Sequence, residues 1–138
     1  MKKMNNKGFS LLELIIVIAI MAILIGVLAP QYLKYVEKSK VSSDKDTLDS
    51  IYQACTTAAA DPDLSQSVPA NSQSFPFTNI SAGTDTWSAE VLTTLGLSNP
   101  SSISTKIKSK QCKGSPINIS VDNMGNFSVS CGGIKIPE

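Results

Sequence analysis

The residues with chemical potential cluster at one end of this chain. Lys7-Gly8-Phe9-Ser10-Leu11-Leu12-Glu13 sets a glycine against a phenylalanine at the edge of an apolar run that continues to Ala29, with one carboxylate just inside it. A Gly–Phe junction in this setting reads as a processing site. Cutting after Gly8 turns the Phe9 nitrogen into a positive α-amino group, and Glu13 needs such a partner, because the nearest lysine, Lys7, lies outside the run. An acid at the centre of a membrane helix costs about 2.5–3.5 kcal/mol, and less toward the end. A buried amine–carboxylate pair has little net worth, but stranding one partner is expensive. Pairing Phe9 with Glu13 of a neighbouring chain therefore sets a register between subunits. The bland alternative is an interfacial glutamate that needs no partner.

The element that positions this chemistry is the apolar segment itself. Residues 9–29 include only Ser10, Glu13 and Gly26 as departures from apolar character. At the helical rise the segment spans about 31 Å, the thickness of a bilayer core. It has no polar face to turn toward water. Lys2, Lys3 and Lys7 precede it with no acid among them, which holds the N-terminus on the cytoplasmic side. A secretory signal peptide is the competing reading. Against it stand the length of the run and Pro30 directly after the small-residue exit Val27-Leu28-Ala29.

Gly8-Phe9-x-x-x-Glu13 followed by a hydrophobic helix resembles the class III signal of the type IV pilins and their relatives, the pseudopilins of type II secretion and the competence pilins. The resemblance is close over the first 30 residues and general beyond them. It implies a leader at residues 1–8, cleaved between Gly8 and Phe9 by a prepilin peptidase, and N-methylation of Phe9 by the same enzyme. It implies a transmembrane and filament-core helix at 9–29, with Glu13 guiding assembly and with Gly26 and Pro30 marking where helical order is lost in the filament. The product is then a structural subunit, a type IVa-like major pilin and not an enzyme. It passes from single-pass precursor in the cytoplasmic membrane to an extracellular pilus serving adhesion, motility or DNA uptake. Its implied partners are other pilin subunits, the peptidase, the assembly ATPase and the inner-membrane platform. A pseudopilin of a secretion or competence machine is the alternative within the family. A bitopic membrane protein with an extracytoplasmic binding head is the alternative outside it.

Residues 30–138 then form the extracytoplasmic head. From 31 to 60 the pattern is an amphipathic helix continuing the apolar one. Leu48, Ile51, Tyr52, Cys55, Ala58 and Ala59 make one stripe, while Glu37, Lys38, Lys40, Asp44, Lys45, Asp46 and Asp49 are placed on the water side. Asp61-Pro62 ends the helix. Residues 62–87 read as a long loop tacked down by its aromatics, and 88–95 as a short helix capped by Gly96. A sheet of at least three antiparallel strands is expected over 103–131. Ile103-Thr105-Ile107, Ile117-Ile119-Val121 and Phe127-Val129-Cys131 are its inward positions, with Val121 opposite Phe127 across the turn Asp122–Asn126. The expected fold is α+β, with the long helix packed on this small sheet.

Twelve lysines, no arginine and no histidine stand against eleven acids, and losing the leader removes three of the lysines. That balance excludes a strong bulk attraction to nucleic acid. Lys106, Lys108, Lys110 and Lys113 form a local basic edge, read as capture of an adhesive or nucleic-acid partner or as protection of an edge strand. Without histidine the common catalytic triads and histidine metal sites are absent, and no cofactor or metal is expected. Asp61 with Asp63, and Asp122 with Asn123 and Asn126, are weak calcium candidates that are also ordinary turn residues. Of three cysteines, Cys112 and Cys131 resemble the disulfide-bounded region of many Gram-negative pilins, a closure worth about 3 kcal/mol. Strand parity leaves Cys55–Cys131 open, as is no bridge at all.

Overall fold

The computed structural model describes Gly8, residues 10–80 and residues 86–137. The chain divides into two units, Met1–Val36 and Glu37–Glu138, and helix α1, Leu11–Ala59, contributes to both. In the first unit every described residue up to Tyr35 is exposed, including the large apolar side chains from Leu11 to Leu28. The helix is long and apolar enough to cross a membrane. Pro30 lies inside α1 without ending it. Having no N–H, it leaves the carbonyl of Gly26, four residues back, without its helical donor.

The second unit has a compact core. On α1, Leu48, Ile51, Ala54, Cys55 and Ala58 are buried, the spacing of one helix face. They meet an antiparallel sheet of four strands in the order β1-β2-β3-β4: Gln73–Pro76, Asn118–Val121, Phe127–Cys131 and Ile134–Ile136. Ile119, Val121, Phe127, Val129, Cys131 and Ile134 point inward, and Val121 pairs with Phe127. The alternating Asn118, Ser120, Ser128 and Ser130 are only partly buried. Helix α2, Trp87–Leu95, is capped by Thr86 and closed by Gly96 in the left-handed conformation. Trp87 joins three layers: it stacks on Phe127 at 5.4 Å, meets Phe75 edge-on at 6.3 Å, and donates its Nε1–H to the Cys55 carbonyl at 3.0 Å.

Several expectations need correction. Ile103–Ile107 is not a strand: Pro100–Lys106 is a 3-10 helix, followed by helix α3, Lys110–Lys113. Ile103 and Ile107 are buried, but a spacing of four fits a helical turn as well as a strand face. Local bonds decide between them. Asn99 caps the Ser101 N–H, and the Ser104 and Thr105 hydroxyls bond back to the carbonyls of Ser101 and Ser102. The sheet therefore does not start at 103. Its first strand, β1, lies within the expected loop 62–87 and pairs along β2 from Gln73–Val121 to Pro76–Asn118. Pro76 is tolerated because β1 is an edge strand.

Candidate processing and assembly site

Gly8 is exposed and lies before α1, while Phe9 falls outside the described residues. What the structure adds is how α1 begins. The Ser10 N–H donates to Glu13 Oε2 at 2.9 Å, and the Glu13 N–H donates to Ser10 Oγ at 3.2 Å. This is a reciprocal capping box, with the two side chains each satisfying an N–H that the first turn leaves over. The Ser-x-x-Glu spacing was visible in the sequence, and the reading of Glu13 as a charge without a local partner overlooked it. The carboxylate is held at the N–H of Ser10, the residue that follows Phe9 in the sequence.

Gly26 and Pro30 share the missing hydrogen bond described above. Nothing lies within 4 Å of the position a Gly26 Cβ would take.

In the head, two carboxylates of α1 fasten the segment around α3. Asp44 is fully buried, which corrects its expected place on the water side. Its Oδ1 accepts the Lys108 N–H at 2.8 Å, and its Oδ2 accepts the Ser109 N–H at 2.9 Å and the Ser109 hydroxyl. Glu37 Oε1 accepts the Lys110 and Gln111 N–H groups at 2.7 and 3.3 Å. Burying a carboxylate is costly unless it is fully hydrogen-bonded, and here backbone donors at the start of a helix supply those bonds. No pattern of apolar spacing announces such an acid. The same segment carries Cys112, which is bonded to Cys131 of β3 with the Cα atoms 5.2 Å apart. Cys55 remains a free thiol in the core, and desolvation there pushes its pKa up to about 12. After Cys131 the chain reverses through Gly132 and Gly133, both at positive φ, and a Cβ on Gly132 would sit 1.9 Å from the Gln111 carbonyl oxygen.

The calcium candidates are occupied as turn residues. Asp61 Oδ1 accepts the Asp63 N–H at 2.9 Å. Asp122 Oδ1 accepts the N–H groups of Met124 and Asn126, and its Oδ2 takes the Asn126 side chain. Those bonds, led by the Asn126 backbone, lower the Asp122 pKa. Among the described residues no three His, Cys, Asp or Glu side chains are placed to hold a metal. A cavity of about 420 Å³ beside α3 is lined by Phe77, Ile103, Ile107 and Ile117 with several hydroxyls and Lys113, an arrangement with no acid–base pair.

A family model singles out the same end of the chain. Residues 3–29 match the prokaryotic N-terminal methylation motif. A 50-residue stretch is 42% identical to the type IV major pilin protein PilA of Myxococcus xanthus (strain DK1622), covering 36% of this chain and 23% of that protein. No solved structure matches significantly.

Proposed function

We propose that this chain, a type IV pilin by its N-terminal segment, is the membrane-anchored precursor of a major filament subunit. The observation that carries this reading is a helix exposing apolar side chains from Leu11 to Leu28 and opening in the Ser10–Glu13 cap. In a lone chain such a surface has to be covered by lipid; in a filament, copies of itself replace the lipid with no exposure to water.

The sequence of events is the one that the resemblance to type IV pilins implies. The precursor sits across the membrane with residues 1–8 as leader. A prepilin peptidase hydrolyses the Gly8–Phe9 bond with one water, leaving a carboxylate on Gly8 and an amine on Phe9; the neutral amine then attacks the methyl group of an external methyl donor, the donor leaves demethylated, and the nitrogen loses one proton. Glu13 must exchange its contact with the Ser10 N–H for the new amine of Phe9 in a neighbouring subunit. An assembly ATPase and an inner-membrane platform drive extraction, and the stretch from Gly26 to Pro30 loosens as the subunits bundle. The similarity to a major pilin supports the major role.

Intact-mass spectrometry on material sheared from the cell surface and pelleted tests the proposal. The expected species begins at Phe9, carries one added methyl, and is abundant. A processed chain confined to the membrane would rule out the major-subunit role. A chain beginning at Met1 would refute the processing site itself.

A further inference from the structure

Charge along the head is strongly segregated. Residues 41–100 carry seven acids and one lysine, whereas residues 101–137 carry five lysines and one acid. The fold turns this separation in sequence into a separation in space. Lys108, Ser109 and Lys110 are bonded through their backbone N–H groups to Asp44 and Glu37, which fixes the lysine-rich segment beside that part of α1. Asp44, Asp46 and Asp49 lie on this same stretch of α1, but three acids lie at the other end. Asp61 and Asp63 follow the last turn of α1, and Glu90 is in the first turn of α2. The start of α2 is held there by Trp87, bonded to the Cys55 carbonyl and to Ser67 Oγ. From Asp44 to Ala59 is about 22 Å along the helix axis. That exceeds the screening length of about 8 Å at physiological ionic strength, so the two ends do not neutralise each other within one head.

The basic end is also unspent. Lys106, Lys108, Lys110 and Lys113 are all exposed, and none of these ammonium groups has a partner among the described residues. Asp44 and Glu37, the carboxylates that hold this segment, are taken up by its backbone amides. Protection of an edge strand does not explain these lysines, since they lie on no strand. The segment is rigidly based, with Cys112 bridged to Cys131 and the Gln111 carbonyl tight against Gly132.

We infer that the basic end of one head, Lys106–Lys113, docks on the acidic end of another copy, around Asp63 and Glu90. This rests on the filament reading above. Two different, complementary ends make a heterologous contact, which propagates into an open helical array and does not close into a dimer. It adds orientation and register to a subunit whose apolar helix is non-directional in its attraction. Duplex DNA is the competing partner for the lysines. It is disfavoured by the excess of acids, eleven against the nine lysines outside the leader.

Charge reversal in the full chain, expressed in cells that assemble it, tests the contact. One variant reverses the basic end, Lys106→Glu with Lys110→Glu and Lys113→Glu; the other reverses the acidic end, Asp63→Lys with Glu90→Lys. Each alone should lower sheared filament at least tenfold while processed, disulfide-bonded subunit stays at its normal level in the membrane. Expressed together, the two should restore filaments, because each reversed end finds its complement only on the other variant. A general folding defect has no such rescue. Should the reversals lower subunit levels, the neutral pairs Lys110→Gln/Lys113→Gln and Asp63→Asn/Glu90→Gln should each reduce filament yield several-fold. Normal filaments from single-end reversals or neutral pairs would overturn the inference, as would absence of rescue on co-expression. Normal filaments from the basic-end reversal that lose duplex DNA in co-sedimentation would assign the lysines to nucleic acid instead. An unaltered chain that makes no filaments would sink the filament reading and this contact with it.

Discussion

Asp44 offers the sharpest test of how the head is held together. It is fully buried and accepts bonds from the Lys108 N–H, the Ser109 N–H and the Ser109 hydroxyl. Asp44→Ala removes the acceptor and leaves those donors stranded against α1. A stranded buried donor costs about 1–3 kcal/mol, and bonds to a charged acceptor sit at the upper end of the range. The Lys108 N–H is only partly buried and recovers some of its loss from water. The expected destabilisation is therefore about 3–5 kcal/mol, a large share of the roughly 5–15 kcal/mol that holds a domain folded. For a domain near 100 residues it lowers the melting temperature by about 15 °C or more. Asp44→Asn, which keeps one acceptor but aims an amide at a donor, should fall between. The assay is thermal melting of the full chain in detergent micelles, followed by fluorescence of Trp87, the sole tryptophan, which stacks on Phe127 in the core. A drop of less than about 3 °C for Asp44→Ala would mean that the carboxylate does not anchor α3, and the reasoning would fail.

Three further outcomes are expected. Gly132→Ala should cost about 3 kcal/mol or more, since its Cβ meets backbone 1.9 Å away, whereas Gly133→Ala, 3.4 Å from a flexible glutamine, should cost about 1 kcal/mol; paired melting curves compare them. The Cys55 thiol, with its pKa pushed from 9.0 to about 12, should react with iodoacetamide at pH 8 about a thousandfold more slowly than in the urea-unfolded chain. The native state keeps a proton that the unfolded chain releases above about pH 9, so stability should fall from there toward pH 12, and fall less in Cys55→Ala. Glu13→Ala should leave the precursor inserted and abolish filaments, and Ser10→Ala, which loses only the cap hydroxyl, should weaken assembly less; normal filaments from Glu13→Ala would refute the pairing.

Most of the secondary structure on which burial acts directly was readable in advance. The pairing of Val121 with Phe127 followed from two alternating strands and one short turn, because a slip of one residue would turn every apolar side chain outward. Strand β1 escaped notice because an edge strand of four residues needs no long apolar pattern, only a free neighbour, and β2 supplied it from 45 residues away. The 3-10 helix at Pro100–Lys106 escaped because Ile103 and Ile107 fit either period, and hydroxyl-to-backbone bonds settled the matter locally.

By itself the sequence determined an apolar helix long enough for a bilayer, a Gly8–Phe9 junction before it, an acid at its threshold and an α+β fold beyond. These depend on composition and near-neighbour spacing, which are properties of the chain before it folds. Only the tertiary structure decided that Asp44 is buried, that Cys112 and not Cys55 meets Cys131, and that Asp44 and Glu37 hold the backbone of the lysine-rich segment. Each of these depends on which distant backbone donors, sulfurs or charges arrive beside a residue, and long-range packing alone supplies that information.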